Sequence, residues 1–363
     1  MIRYRAEIYD KDFNFISYGA VAEKDIKIDY LAEQTSTFTI PDIIEASVNN
    51  YVCLRQNGKI YVHGIVSSVE YDEHLTKVSF VHFMSTLNVD LMINPDDFDT
   101  TPAEEWLCNK LLSLYNGSDS YQNIHGFSCS YTSETMISYQ RQSEPTEENP
   151  IQLETLNLFT FAQDLLQKYG IILTWTVDFV NQTVNCVIST IDMSNVWNLK
   201  LGIADAPEYS IDIHTIEGTY NKIKYYNEAD ESNTVTYYLH STGTIDSDDS
   251  TDRLVPVNYT EKTAQADDTE GAEKTFEEVA LEDAQSSMLN SDFNHEIIVT
   301  FNADSKLLSV GGIGQIYNLI TPDGVSYKSI LTGYEEVNVR YLKLVFGYIR
   351  TDLTTILKMQ RRR

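Results

Sequence analysis

Cysteine is scarce: four residues in 363, Cys53, Cys108, Cys129 and Cys186, with no two close in sequence. That spacing excludes a disulfide scaffold and fits thiols kept reduced as small buried apolar groups in a cytosol. Basic residues are also few, 26 Lys and Arg against 54 Asp and Glu, for a formal net charge of −28. Such a chain repels nucleic acid and anionic lipid at long range, which argues against sequence-reading DNA recognition. It is compatible with a surface that DNA passes without sticking. No apolar run is long enough to span a bilayer, and Met1–Glu7 (MIRYRAE) lacks the apolar core of a signal peptide. The expectation is folding in a cytoplasm. The seven histidines, His63, His74, His82, His125, His214, His240 and His295, stand alone, with no His-Glu-x-x-His element. The sequence gives no zinc-hydrolase pattern and no metal or cofactor site.

What is present is an internal echo. Tyr51–Leu87 lies over Tyr317–Leu353 without a gap, at an offset of 266 residues. The turn Asn57-Gly58 falls on Asp323-Gly324, Tyr61 on Tyr327, Glu70 on Glu336, Lys77 on Lys343 and Phe80 on Phe346. Both copies read as strand, two-residue turn, strand, gap, strand. The implied architecture is β-rich α+β and multi-domain, with two similar small β-barrel domains interleaved with two α+β segments. A length of 363 residues is right for two to four domains. The 24 tyrosines suit strands and contact surfaces, having an apolar body and a polar tip.

Residues 1–94 read as a first β-barrel domain. Its signals are the alternation of Asp25–Leu31, the stop at Pro41, the Asn57-Gly58 hairpin turn and the strand Lys77–Phe83. Residues 95–204 read as an α+β domain with two helices and a hairpin. One helix starts at Thr101 as a hydroxyl N-cap, with Pro102 first in the helix and Glu104 and Glu105 in the first turn. The other runs Gln152–Tyr169 and stops at Gly170; the hairpin joins Ile171–Val177 to Thr183–Ile188. Residues 205–240 plus 296–353 read as the second barrel domain. Residues 241–295 are an acidic loop and helix insertion, and 354–363 a basic tail.

Several constellations have plainer readings than chemistry. Gly311-Gly312-Ile313-Gly314 lacks the Lys-Ser/Thr and following helix of a phosphate loop, and reads as a turn into a strand. Asp246–Asp252 is carboxylate-dense but lacks the glycine bend and distal acid of a calcium loop. Tyr225-Tyr226 and Tyr237-Tyr238 suit sheet faces, with sugar binding as the alternative. No pair among the acids, and no Cys–His pair, is singled out for hydrolysis. Arg361-Arg362-Arg363 reads as a solvated terminus. No catalytic, cofactor-binding or metal residue is assigned, and the protein is not expected to be an enzyme.

Three passages carry a family resemblance: Tyr51–Arg55 with His63–Asp72, the helix-then-strand passage Phe161–Ile171, and Tyr220–Asn227 running into Tyr237-Tyr238-Leu239. In their order along the chain, these resemble bacteriophage tail hub (baseplate hub) proteins, in particular the N-terminal structural module of siphophage tail-associated lysins. The resemblance implies a homotrimer whose two barrels per chain make a pseudo-sixfold ring on the hexameric tail tube. It implies contacts with a distal tail protein hexamer, a tape measure protein and tip or receptor-binding proteins. Genomic DNA would meet the protein only in passage through the channel. The place implied is the virion tail tip, after synthesis and assembly in the bacterial host cytoplasm. The chain stops soon after the second barrel, so the lytic region of many relatives is not expected. A baseplate carbohydrate-binding receptor protein is the alternative, and a cell-wall hydrolase has no motif behind it.

Overall fold

The computed structural model describes residues 4–137, 139, 153–213, 220–240, 245–249, 259–266, 274–288, 295–302, 312–336 and 341–348. The basic tail, His214 and much of the acidic loop lie outside them.

The first 81 residues supply eight strands: β1 Tyr4–Tyr9, β2 Phe15–Ala20, β3 Glu23–Asp25, β4 Lys27–Asp29, β5 Thr35–Ile40, β6 Tyr51–Gln56, β7 Lys59–Asp72 and β8 Leu75–Val81. Seven form one sheet in the order β2-β1-β6-β7-β8-β5-β3. Strands β5 and β8 alternate buried and open residues, as a sheet with one covered face demands. The covered side gathers Ile8, Phe38, Ile40, Val52, Leu54, Val66, Val78 and Phe80 into a core. Asn57 (φ 50°) and Gly58 (φ 85°) make the expected left-handed two-residue turn between β6 and β7.

The alternating stretch Asp25–Leu31 is not one strand. β3 pairs with β5, whereas β4 leaves the sheet and pairs with a strand from the far end of the chain. Ile26, fully buried, marks the crossing. Alternation records which residues are covered, and is silent on the partner.

The middle of the chain contributes β9 Asp90–Ile93, α1 Asp97–Thr100, α2 Ala103–Tyr115, β10 Phe127–Tyr131, β11 Glu154–Asn157, α3 Leu158–Tyr169, β12 Ile171–Asp178 and β13 Thr183–Thr190. Two expectations need correction. Thr101 ends α1, and Pro102 takes the cap position of α2 without a side-chain cap. The second helix begins at Leu158: residues 154–157 pair with β9, and Asn157 turns the strand into the helix by accepting hydrogen bonds from the Phe159 and Thr160 amides at 3.0 and 3.1 Å. Gly170, at φ 65°, closes α3 as expected. Helices α2 and α3 bury Trp106, Leu107, Leu111, Phe161, Leu165 and Leu166 against the hairpin β12–β13, whose inward residues include Leu173, Trp175, Val184 and Ile188.

A second large sheet has the order β14-β21-β22-β23-β20-β15, built from β14 Val196–Lys200, β15 Glu208–Ile213, β20 His295–Asn302, β21 Ile316–Ile320, β22 Ser326–Glu336 and β23 Tyr341–Phe346. Strand β4 joins it through β22. Between β15 and β20 a smaller sheet, β18-β17-β16-β19, is made by β16 Lys222–Asn227, β17 Asp230–Leu239, β18 Ile245–Asp246 and β19 Tyr259–Ala264, with α4 Phe276–Met288 packed on it. Residues 220–239, grouped by composition with the closing strands, are thus hydrogen-bonded to the acidic insertion. Val196–Lys200, grouped with the middle segment, is paired into the second large sheet.

Candidate assembly surface

The residues that matter most here are those that join modules. The strap 23–31 touches three of them. At its start Lys24 makes an ion pair with Glu336 of β22, and its Nζ lies 4.1 Å from the centre of the Tyr4 ring and 5.6 Å from that of Tyr61. Both charged side chains are almost fully buried. In the middle of the strap, Lys27, Ile28 and Asp29 pair with Glu335, Tyr334 and Gly333. At its end the Tyr30 amide donates to the Thr332 carbonyl at 2.9 Å, and the Tyr30 hydroxyl accepts from the Leu173 amide at 3.0 Å. Burial pushes the Tyr30 phenol well above its ordinary range. Gln163 of α3 donates to the Leu31 carbonyl at 2.7 Å. One strap therefore ties the two large sheets through paired backbone and the helical module through the side chains of Tyr30 and Gln163.

The two large sheets share a plan. Taken from β1 and from β14, their orders are β1-β6-β7-β8-β5-β3 and β14-β21-β22-β23-β20-β15. The last four pairings of each are antiparallel; the first differs, β1–β6 being antiparallel and β14–β21 parallel. Each has a register break in its long strand, between Val66 and Ser68 and between Leu331 and Gly333. Each has a cross-strand ion pair beyond the break: Lys77 with Glu70 at 3.5 Å, and Lys343 with Glu335 at 3.2 Å. The gap-free echo is thereby corrected by one residue. It set Glu70 on Glu336, but the break comes one residue sooner in the second sheet, so Glu335 takes the part of Glu70. Because side chains alternate, Glu336 is turned to the other face, where it meets Lys24.

The remaining candidates from the sequence are dispersed. His63 and His82 stack, with ring centres 5.8 Å apart, and the His63 ring meets Phe83 edge-on. Exclusion of water lowers their pKa values to about 4 and about 3. His295 faces the Ser329 hydroxyl at 2.6 Å and is lowered by burial to about 4. His240 contacts Asp246 at 3.0 Å. Gly314, at φ 92°, leads into β21 rather than into a helix, and a Cβ there would collide with Ile172 at 2.5 Å. Of the tyrosine pairs, Tyr225 and Tyr237 are buried under α4, while Tyr226 and Tyr238 lie on the other face of their sheet. Among the described residues no group of three or more His, Cys, Asp or Glu is placed to hold a metal, and no helix is long and apolar enough to cross a membrane.

Sequence reasoning missed two clusters. Cys129 and Cys186 are partners across parallel strands, and Cys129 is also in hydrogen-bonding reach of Cys108. Glu104 is not a solvated first-turn acid. It is fully buried, accepting from the Ser133 hydroxyl at 2.8 Å and from the Thr135 amide and hydroxyl at 2.7 Å each.

Three solved structures match this arrangement over nearly its whole length. A tail protein from Neisseria meningitidis MC58 aligns with a TM-score of 0.53 and 13% identity, over 95% of this chain and 96% of that one. The 43 kDa tail protein of prophage MuSo2 from Shewanella oneidensis gives 0.54 and 12%, over 95% and 98%. The prophage tail protein gp18 from Listeria monocytogenes EGD-e gives 0.50 and 12%, over 99% and 98%. The chain has the fold of phage tail proteins. No family model and no curated protein matches the sequence. The resemblance carried by Tyr51–Arg55, Phe161–Ile171 and Tyr220–Asn227 is therefore one of tail-protein fold, retained at an identity where most side chains have changed.

Proposed function

We propose that this tail-fold chain is the structural hub at the distal end of a phage tail or a related injection device. In this reading it is a homotrimer, and the two like sheets are its two barrels. Three chains then present six similar lobes to the hexameric tail tube, around a channel through which DNA leaves. The observation that carries the reading is the common plan of the two large sheets: the same strand order, a register break in the long strand of each, one residue sooner in the second, and the Glu–Lys pair at Glu70–Lys77 and Glu335–Lys343. A closed ring requires a repeated patch, and two copies per chain turn threefold into near-sixfold symmetry. The net charge of −28 suits a wall that does not grip DNA.

The partners in this reading are a distal tail protein hexamer, the tape measure protein, and tip or receptor-binding proteins. The site of action is the virion tail tip, and the role is structural rather than catalytic. Light scattering of the purified protein should give three times the 41.4 kDa chain mass. Electron microscopy should show a threefold ring with a central hole. A mass that stays monomeric at high concentration, or a ring of another order, would remove the proposal.

A further inference from the structure

The two large sheets correspond residue by residue. One row across the first runs Lys24, Phe38, Val78, Val69, and the matching row of the second runs Tyr209, Val299, Leu344, Tyr334. The match includes the chain entering each long strand at its register break. The Asn49 amide donates to the Val66 carbonyl at 2.9 Å and the Val66 amide to the Asn50 carbonyl at 2.8 Å. The Gly314 amide donates to the Leu331 carbonyl at 2.8 Å and the Leu331 amide to the Gln315 carbonyl at 2.9 Å. Asn49 (φ 69°) and Gly314 (φ 92°) are both left-handed.

Beyond the break the sheets differ in what flanks them. In β22, Gly333, Tyr334 and Glu335 have β23 on one side and β4 on the other, and the Glu336 amide donates to the Ile26 carbonyl at 2.8 Å. In β7, Ser68–Asp72 pairs with β8 alone among the described residues. Tyr71, in the place of Glu336, is 54% exposed. The opposite edges differ in the reverse sense. The edge of the first sheet, Glu23–Asp29, meets β22, whereas β15, which holds the same place in the second, pairs among the described residues with β20 alone. Tyr209, in the place of Lys24, is 39% exposed. Each sheet thus leaves open the half of the junction that the other has filled.

We infer that the free edge of β15 in one copy pairs antiparallel with the open part of β7 in the next, as β4 pairs with β22 inside each chain. The inference rests on the trimeric reading above and names the strands that close the ring. Edge strands with unpaired backbone groups are templates for another strand, and a head-to-tail contact of this kind closes into a ring when its rotation allows. In the register of the internal junction, Ile213 comes opposite Val69, Asp212 opposite Glu70, and the Ile211 carbonyl accepts from the Tyr71 amide. The Tyr209 and Tyr71 rings then stand where Lys24 and Glu336 meet within the chain. That exchange fits a contact made after folding. A tyrosine tolerates water before association and buries its ring afterwards, whereas the Lys24–Glu336 pair is buried within the folded chain. One position runs against the contact: Asp212 faces Glu70 where Lys27 faces Glu335, and like charges directly opposite weaken a ladder. The junction between copies is therefore weaker than the internal one, and a charge reversal at that position should strengthen it.

The test is cysteine cross-linking of the full chain. Directly opposite residues of an antiparallel pair lie within disulfide range, so Glu70→Cys with Asp212→Cys, under a mild oxidant, should give covalent dimers and trimers that a reductant dissolves. Neither single variant should link. By light scattering on dilution, Asp212→Lys should hold the trimer together to about tenfold lower concentration. Glu231→Lys, the same charge change on the small sheet, should have no such effect. If Asp212→Lys fails to fold, the cysteine pair decides alone. A trimer in which the cysteine pair stays unlinked, or in which Asp212→Lys is no tighter than Glu231→Lys, would overturn this inference and leave the hub reading standing. That is also the outcome expected if the open part of β7 takes a strand from a different protein. A protein that stays monomeric would overturn both.

Discussion

Lys24 and Glu336 form a buried ion pair between the first β-sheet and the second, roofed by the rings of Tyr4 and Tyr61. The residues are 312 positions apart in sequence, read from their numbers. Neither charge has much water, so each is the other's main compensation. Removing one partner strands the other, a cost of roughly 3–5 kcal/mol. Lys24→Met and Glu336→Leu should therefore each lower stability by about that much in urea denaturation. The double variant should recover most of the loss, since a well-packed apolar pair of similar size replaces a buried ion pair with little penalty.

The buried carboxylate of Glu104 organises the chain at 133–135. It accepts three hydrogen bonds at 2.7–2.8 Å, and hydrogen bonds to a charged group are worth about 1.5–3 kcal/mol each before coupling between them. Glu104→Ala should cost about 3 kcal/mol in denaturant unfolding. Hydrogen exchange should become faster at the Thr135 amide, while the β7–β8 pairing stays protected.

The two hairpins test the common plan of the large sheets. Gly58 (φ 85°) and Gly324 (φ 87°) occupy the left-handed region, and nothing lies within 4 Å of a Cβ added at either. The cost of a side chain is thus purely conformational, about 1–2 kcal/mol. Gly58→Ala and Gly324→Ala should show the same loss in thermal or urea unfolding, within a few tenths of a kcal/mol. Unequal losses would trace to the turns themselves, since Asn57 is left-handed beside Gly58, whereas Gly324 alone is left-handed in the connection between Ile320 and Ser326.

Acid should destabilise the fold through its histidines. His63, His82 and His295 have pKa values lowered to about 4, 3 and 4 in the folded state, against about 6.5 unfolded. The unfolded chain binds more protons between these limits. Stability from these groups is therefore complete above pH 6.5 and falls as pH drops through 6.5 towards 4 and 3. Each contributes a slope of about 1.4 kcal/mol per pH unit inside its window. His63→Phe, which keeps a ring in the stack, should remove one such slope in urea titrations between pH 4.5 and 6.

The thiols should be inert while the protein is folded. Burial pushes the Cys53 and Cys108 thiols up to about 12, and the Cys129 thiol, hydrogen-bonded to Cys186, higher still. Since the thiolate is the reactive form, a disulfide reagent at pH 8 should modify these three slowly in the native state. All four cysteines should react at once after unfolding in guanidinium.

The sequence by itself determined the local elements. The strand stop at Pro41, the Asn57-Gly58 turn and the Gly170 stop each depend on neighbours a few residues away, and the echo of Tyr51–Leu87 in Tyr317–Leu353 compares two such local patterns. Such short-range chemistry is written directly in residue order. Only the tertiary structure decided the partners. Asp25–Leu31 reads as one alternating strand, yet its two halves serve different sheets. Residues 220–239 read as part of the closing barrel, yet pair with the acidic insertion. Cys108, Cys129 and Cys186 read as scattered, yet meet. The tyrosine pairs were half legible, in that Tyr225-Tyr226 and Tyr237-Tyr238 suggested strands, but which ring of each pair is covered depends on the position of α4. The physical reason is common to all four cases. Burial periodicity says which side of a strand is covered, whereas hydrogen-bond partners and covering helices are set by contacts between segments tens to hundreds of residues apart, which no local pattern encodes.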